Sequence, residues 1–229
     1  MVQIRPSEER GHNEISWLNT RFTFSFDQYY DPSHVQFRSL RVLNEDVVAP
    51  GKGFGMHPHR DMEILTWVLD GALQHRDNMG NTGLIRPGEL QHMSAGTGIL
   101  HSEYNASATD PVHLLQIWIL PDRRGLKPGY EQLAFADADL RNKFGLVAGP
   151  QAPLTIHQDA DLYIARLDKG VTVTHTLRAE RYAWLQVARG SVRLNGKKLY
   201  AGDGASVSKE TKVQVEALDA SEVLLFDLA

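Results

Sequence analysis

The sequence contains no cysteine, which excludes disulfide bonds, thiolate metal sites, iron–sulfur clusters and cysteine nucleophiles. It has no apolar run close to the roughly 20 residues that a membrane-spanning helix needs, and residues 1–17 lack the apolar core of a signal peptide. Positive charge is not in excess, since the net charge is −4, so a basic nucleic-acid surface is not expected. We therefore predict a cytoplasmic protein with no direct contact to nucleic acid or to a membrane.

Long helical periodicity is nearly absent as well, and short strand-like runs take its place. The 229 residues are enough for one large all-β domain or for two ordinary domains. Runs rich in β-branched and aromatic residues recur between turn-forming residues, and the clearest are 63–70, 112–120, 162–167, 182–190, 191–196 and 222–228. Asp70-Gly71 and Asn195-Gly196 are hairpin signals, because such pairs tolerate the positive φ of tight turns. Even strand spacing with glycine-rich turns favours a sandwich or a barrel.

The chain also looks duplicated in outline. Residues 67–96 read as strand, turn, strand, Pro-Gly and strand, and residues 184–208 repeat that layout. The polar stretch within 121–150 has proline and glycine at both ends, and it is typical of a linker with one short helix near 137–143. We predict an all-β chain with an N-terminal barrel over 1–130, a linker over 131–150 and a C-terminal barrel over 151–229.

Two histidines stand one residue apart in "GMHPHRDMEI" (55–64). Residues i and i+2 of a strand point to the same face, and Pro58 favours extended backbone on both sides of itself. His57 and His59 would then project together. Taken alone, the pair is a weak signal and is better interpreted as two solvated loop histidines.

A second pair, His101 and Glu103, follows in "GTGILHSEYN" (96–105). Two strands would thus each offer two metal-competent side chains on one face. Three imidazoles and one carboxylate suit a first-row divalent ion such as Fe, Mn, Co, Ni, Cu or Zn. Strand parity also allows Glu63 as the carboxylate, whereas Asp61 reads as a solvated turn residue.

The spacing of these residues resembles the two cupin motifs. The residues that match the first motif are Gly51, His57, His59, Glu63 and Gly71. Those that match the second motif are Gly98, His101 and Asn105. The last gap of the first motif is longer by one residue, and Gly96 stands where the second motif usually has a proline. Within the cupins, "HPHRDMEILTWVLDGALQHRDNMGN" (57–81) and "MSAGTGILHSEYN" (93–105) resemble the pirin family. The resemblance covers essentially the whole chain and is nearest to short bacterial pirins described as quercetin 2,3-dioxygenases.

The resemblance implies two tandem cupin barrels, of the double-stranded β-helix or jelly-roll type. It implies one divalent metal held by His57, His59, His101 and Glu103, with Fe(II) preferred and Cu, Mn, Co, Ni or Zn as alternatives. The implied activity is cleavage of a flavonol such as quercetin by O₂ with release of carbon monoxide, and Glu103 would be the catalytic base. The alternative is an iron-dependent regulatory or redox-sensing pirin that binds a protein partner, with flavonol cleavage as a side activity.

The remaining histidines are expected to have other roles. We expect His75 to be exposed at the end of a hairpin, and His92 and His113 to be hydrogen-bonded in strands. His175 has no companion two residues away, so the C-terminal barrel is predicted to bind no metal. Gln116 and Trp118 share a strand face that either lines the metal cavity or packs in the core, while Phe54 and Met56 could form an apolar rim.

Overall fold

The computed structural model describes all 229 residues, and almost all of the regular structure is β. The first half of the chain contains twelve strands: β1 (Val2–Arg5), β2 (Gly11–Ile15), β3 (Leu18–Phe22), β4 (Leu40–Val48), β5 (Gly53–His59), β6 (Glu63–Asp70), β7 (Leu73–Asp77), β8 (Thr82–Ile85), β9 (Glu89–Ser94), β10 (Ile99–Asn105), β11 (Val112–Ile119) and β12 (Gly129–Ala134). A 3₁₀ turn (Ser7–Glu9) follows β1, and helix α1 (Asp137–Leu140) follows β12.

The second half contains ten further strands: β13 (Gly145–Gly149), β14 (Leu154–Thr155), β15 (Ala160–Leu167), β16 (Thr172–Thr176), β17 (Tyr182–Arg189), β18 (Ser191–Leu194), β19 (Lys197–Tyr200), β20 (Gly204–Val207), β21 (Lys212–Ala217) and β22 (Ser221–Leu228). No helix is both long enough and apolar enough to span a bilayer.

Each half builds a barrel from one seven-stranded and one four-stranded sheet. The first barrel pairs the sheet β12-β9-β6-β11-β4-β3-β2 with the sheet β5-β10-β7-β8. The second pairs β1-β20-β17-β22-β15-β13-β14 with β16-β21-β18-β19. In the central part of each half the chain crosses between the two sheets, as from β5 to β6 to β7 and from β20 to β21 to β22. The predicted all-β, two-barrel fold is confirmed.

The boundaries between the halves are less simple than a linker joining two barrels. Strand β1 lies in the sheet of the second barrel, where Val2 pairs with Val207. Strand β12, within the stretch predicted as linker, extends the first large sheet by pairing with β9, and β13 pairs with β15 in the second. The division at 1–130, 131–150 and 151–229 stays a prediction about how the chain is organised into domains.

The two hairpin signals have different outcomes. Asn195 and Gly196 both have positive φ and join the paired strands β18 and β19, as predicted. Gly71 also has positive φ, but β6 and β7 belong to different sheets, so the hairpin predicted at Asp70-Gly71 is wrong. The dipeptide fixes the turn, whereas the partner of the next strand depends on distant residues.

Apolar packing differs between the two barrels. An apolar cluster of 18 buried residues fills the second barrel. In the first barrel the apolar interior is divided into clusters of six and four residues. A larger cluster of 23 residues draws on both halves, including Trp67 and Leu115 from the first and Trp184 and Phe226 from the second, and it holds the barrels together. The first barrel therefore has room for polar groups in its interior.

Candidate metal centre

Three histidines of the first barrel converge on one point. Strands β5 and β10 are antiparallel neighbours, and their register places His57 directly across from His101. The ring centroids of His57, His59 and His101 lie 4.4 to 4.8 Å apart. One nitrogen of each ring falls within 4.8 Å of the others. The structure thus brings together three of the four residues that the sequence singled out as one metal-binding group.

Hydrogen bonds to the rings select which nitrogens are free. The Nδ1 of His57 donates to the carbonyl oxygen of Gly55 at 2.7 Å, which leaves its Nε2 as the unprotonated atom. The Nδ1 of His101 lies 3.4 Å from Nδ1 of His75, and Nε2 of His75 lies 3.4 Å from a carboxylate oxygen of Asp77. A proton on Nδ1 of His101 and another on Nε2 of His75 satisfy this chain, and second partners of this kind orient metal-binding histidines.

Glu103 is brought to the same cavity by a register shift. The pairing of β10 with β5 is irregular between His101 and Glu103, so that Glu103 pairs with Phe54. The side chain is buried. Its Oε2 accepts a hydrogen bond of 2.9 Å from Gln116, whose own Oε1 accepts one of 2.9 Å from the hydroxyl of Thr66. The other oxygen, Oε1, is buried without any partner.

Burial sets the charge state of these groups. It raises the pKa of Glu103 to about 7, against the effect of the Gln116 hydrogen bond. Burial also lowers the pKa of His59 to about 4 and that of His101 to about 2, and the neighbouring histidines add to both shifts. His59 and His101 are therefore neutral at physiological pH, which is the form that binds metals.

The donor set fits a divalent transition metal. His101 Nε2 and Glu103 Oε1 are both buried with no hydrogen-bond partner, and a buried polar atom of this kind normally has one. A cation would satisfy both, and three imidazoles with a carboxylate are suitable ligands for several first-row ions. Glu103 does not share the 4.8 Å group of the three histidines; it forms a second group with His75 and His101. The complete set of His57, His59, His101 and Glu103 stays a prediction.

His75 was expected at an exposed hairpin end, and that expectation is wrong. Its side chain is fully buried on β7, stacked on the ring of Tyr130 at 4.8 Å. The hairpin does form, since β7 pairs with β8 and His75 lies opposite Gly83, but the alternation along β7 turns His75 to the buried face. The i, i+2 pair of His75 and Asp77 was a usable signal, of the same kind as the two metal-binding pairs.

A cavity of about 140 Å³ opens beside the histidines. The cavity is lined by Phe54, Gln116 and Trp118. Of the two roles considered for the face shared by Gln116 and Trp118, lining the cavity is therefore the one observed. Met56 is exposed and does not line the cavity. The sequence reasoning missed Thr20, Asn44 and Asp46, which also line it. Asn44 and Asp46 stand two residues apart on β4 and so share a face, and this i, i+2 spacing could have revealed them.

Two histidines have the structural roles predicted for them, and Glu63 lies away from the histidine cluster. His92 donates to Glu63 at 2.9 Å, and His113 donates to Glu45 at 3.0 Å. Glu63 is fully buried and also accepts from Ser94 at 2.6 Å and from the backbone N–H of His157 at 3.2 Å. Burial opposes ionisation of Glu63, but these hydrogen bonds outweigh it and lower its pKa to about 2. Both oxygens of Glu63 are thus engaged, with partners from both halves of the chain.

Comparison with known families decides the relationship. The family described as Pirin matches residues 3–119. The chain belongs to the pirin family. The second half of this pirin, residues 146–228, matches the family described as Quercetinase C-terminal cupin domain.

Three relatives place this pirin among proteins of known structure or name. It is 48% identical to a protein of Escherichia coli (strain K12) named quercetin 2,3-dioxygenase, over 100% of this chain and 99% of that one. A crystal structure of the bacterial pirin YhhW from Escherichia coli, in complex with nickel(II), is 48% identical with a TM-score of 0.94, covering 100% and 99% of the two chains. A quercetin 2,3-dioxygenase structure from Acinetobacter baumannii, at 21% identity and a TM-score of 0.78 over 95% of this chain and 84% of that one, shares the fold.

Proposed function

We propose that this pirin is a metal-dependent quercetin 2,3-dioxygenase, which opens the central ring of a flavonol with O₂ and releases one carbon as carbon monoxide. The observation that carries the proposal is the cluster of three histidines at the wall of a cavity in the first barrel, beside a buried carboxylate with one unpartnered oxygen. The 48% identity to a quercetin 2,3-dioxygenase over the whole chain supports the same activity.

His57, His59, His101 and Glu103 would hold the metal, and we infer Fe(II) as the ion. A bound transition metal would favour the flavonolate anion through its charge and supply redox chemistry towards O₂. The divided apolar core around the site supports this assignment, since the second barrel uses the equivalent space for packing.

Glu103 is assigned the role of general base for the 3-hydroxyl of the flavonol. Gln116 holds its Oε2 at 2.9 Å, so Oε1 would serve in turn as a metal donor and as the oxygen that takes the proton. A carboxyl group with a pKa near 7 has little driving force to lose its proton again at neutral pH, and a base of that strength is well matched to a phenol. Trp118 packs edge-on against the ring of His59 at 4.8 Å and limits the access of water to that side.

The test is a two-stage incubation with quercetin. Metal-free protein is loaded with Fe(II) under nitrogen, quercetin is added, and air is then admitted while the flavonol absorbance is followed. We expect loss of the absorbance band only after air enters. The carbon monoxide trapped by reduced myoglobin should equal the amount of quercetin consumed. Persistence of quercetin with fully loaded protein would overturn the proposal and leave the regulatory alternative, which binding to a protein partner would then test.

A pair of histidine variants separates site chemistry from loss of fold. His57→Ala should lose metal and turnover while the far-ultraviolet circular dichroism is unchanged. His12→Ala is the matched control, because His12 is an exposed histidine that contacts only Asn19 at 3.2 Å. Equal loss of turnover in both variants would contradict the assigned site.

A further inference from the structure

The metal cavity has a second polar wall that the proposed ligand set does not use. It is formed by strands of the seven-stranded sheet, across the barrel from β5 and β10. Their register places Asp46 opposite Thr20 and Asn44 opposite Gln116. All four side chains line the cavity. The wall is therefore one patch of neighbouring groups on a single sheet face.

These groups are buried, and most of their hydrogen-bonding capacity is unused. Thr20 and Asn44 are 2% and 4% exposed, Asn44 Oδ1 has no partner, and the hydroxyl of Thr20 is close enough to Asp46 to lower the pKa of that carboxyl, against the effect of burial. Asp46 is 5% exposed and makes no ion pair. Arg10, which attracts it electrostatically, is hydrogen-bonded to Glu45 at 2.8 Å. Unpaired polar groups in an interior are costly, so their retention at a cavity wall points to a ligand.

The composition of the patch indicates what the ligand offers. The carboxylate of Asp46 and the unpartnered Oδ1 of Asn44 are acceptors, whereas the hydroxyl of Thr20 and the NH₂ of Asn44 can donate. A phenolic hydroxyl is a strong donor that fits such acceptors, whereas an anionic group would be repelled by Asp46. The cavity of about 140 Å³ is also smaller than the roughly 300–1,000 Å³ of pockets that enclose a drug-sized ligand. It would thus hold the reacting part of a substrate together with the groups close to it.

We propose that Asp46, with Thr20 and Asn44, forms a subsite that binds a further phenolic hydroxyl of the substrate, so that the enzyme selects flavonols hydroxylated beyond the 3-position. The inference rests on the proposed function and names its substrate class more narrowly. Asp46 is the specificity-determining residue, and it touches the substrate rather than the metal.

The test uses four flavonols that share the 3-hydroxy-4-carbonyl unit: 3-hydroxyflavone, galangin, fisetin and quercetin. The wild-type protein should show a KM for at least one ring-hydroxylated flavonol that is roughly ten- to hundredfold below that for 3-hydroxyflavone, the usual effect of a hydrogen bond to a charged group. Asp46→Asn should raise that KM towards the 3-hydroxyflavone value while kcat changes little. Asp122→Asn, the same change at an exposed position, should alter neither.

Three results would overturn the subsite. One is an equal KM for all four flavonols in the wild-type protein, which would leave the dioxygenase activity standing. Another is an equal fall of kcat on every flavonol in Asp46→Asn at constant KM, since Asp46 would then act through Glu103. The third comes from calorimetry with Zn²⁺-loaded protein under nitrogen, which reports flavonol binding without turnover. Equal affinities for flavonols with and without ring hydroxyls, or no binding of any flavonol, would contradict the subsite. This result does not depend on whether the protein shows activity.

Folding of the variant can be checked independently. Burial raises the pKa of Asp46 to about 6, so ionised Asp46 opposes folding at neutral pH and an asparagine removes that penalty. Asp46→Asn should therefore unfold at the same or a higher temperature than the wild-type protein at pH 8. If such a protein shows a smaller difference in KM between ring-hydroxylated flavonols and 3-hydroxyflavone, the change results from loss of the carboxylate and not from loss of structure.

Discussion

Glu103 and Glu63 are both buried carboxylates next to histidines, yet their surroundings give them different roles. Glu103 has one oxygen without a partner, whereas the oxygens of Glu63 accept from His92, Ser94 and His157. A carboxylate whose two oxygens are both engaged has none left for a metal or a substrate proton. The structure therefore supports the choice of Glu103, which strand parity alone left open.

Glutamine substitutions separate these roles. Glu103→Gln keeps the shape but loses charge and basicity, so metal affinity should weaken modestly and flavonol turnover should fall by roughly 10²–10⁴-fold. Glu63→Gln should keep metal and turnover nearly unchanged but lower the unfolding temperature, because an amide cannot accept all three hydrogen bonds. Elemental analysis, turnover and thermal unfolding of both variants provide the test. Loss of metal from Glu63→Gln would mean that this chain uses the more common cupin carboxylate.

His75 supplies the second prediction at this scale. Phenylalanine at position 75 would keep the stacking on Tyr130 but could not accept the Nδ1 proton of His101. Metal affinity should fall by roughly 10- to 100-fold, the usual cost of losing a partner of a metal-binding histidine.

The control for His75→Phe is His113→Phe, which breaks a histidine–carboxylate hydrogen bond in the same barrel at a distance from the metal group. Calorimetric titration with Ni²⁺ should show unchanged affinity for the control. If His75→Phe binds no metal while His57→Ala binds it fully, then the group of His75, His101 and Glu103 is the site.

At the scale of elements, strands could be predicted more reliably than their partners. The run 63–70 coincides with β6, and 112–120 exceeds β11 by one residue, because alternation and turn residues are local signals. Which sheet a strand joins depends on contacts distant in sequence, and this is why the hairpin predicted at Asp70-Gly71 was wrong. The helix near 137–143 forms over Asp137–Leu140 only.

The close approach of β5 to β10 is itself a requirement of the site. A Cβ at Gly53 would lie 2.1 Å from the carbonyl oxygen of Glu103, which is too close for any backbone contact. A Cβ at Gly55, two residues along the same strand, would have only the Tyr104 hydroxyl nearby, at 3.7 Å. The glycine-rich run before the histidines thus lets the two metal-binding strands meet.

This contrast makes a matched pair of variants. Gly53→Ala should push β5 away from β10, weaken metal binding by more than tenfold and lower the unfolding temperature. Gly55→Ala should leave both close to wild type, since the added methyl group meets no backbone. Metal titration and thermal unfolding of the two proteins are the measurements, and equal behaviour of the pair would contradict a positioning role for this strand contact.

At the scale of the molecule, long-range connections hold the halves together, and no local sequence pattern predicts them. The side chain of Arg10 is buried and donates to Glu45 of the first large sheet at 2.8 Å and to the carbonyl oxygen of Gly202 in the second half at 2.9 Å. Trp67 Nε1 donates to Glu222 across the same junction at 2.6 Å. Such pairs are separated by 35 to 192 residues, so no periodicity or motif could have predicted them.

Glu45 makes this junction sensitive to acid. Burial would raise its pKa, but the hydrogen bond from His113 and the charge and hydrogen bond of Arg10 lower it to about 2, from an ordinary 4.5. A carboxyl group whose pKa is lower in the folded state stabilises that state above the unfolded pKa and loses the effect as pH falls towards the folded one. The contribution should therefore be complete above about pH 4.5 and decline between about pH 4.5 and 2, and the shift corresponds to roughly 3 kcal/mol.

The last prediction uses Glu45→Gln, which removes the titrating group at this junction. Above about pH 5 the free energy of unfolding of the variant should be about 3 kcal/mol below that of the wild-type protein. This gap in stability should narrow as pH falls below 4.5, because protonated Glu45 in the wild-type protein also lacks the charge that pairs with Arg10. Urea unfolding of the metal-free proteins between pH 3 and 8 measures the gap. Glu8→Gln, an exposed carboxylate in the turn after β1, is the control and should show no gap at any pH. A gap for Glu45→Gln that is constant down to pH 3 would mean that the charge of Glu45 does not stabilise the junction between the barrels.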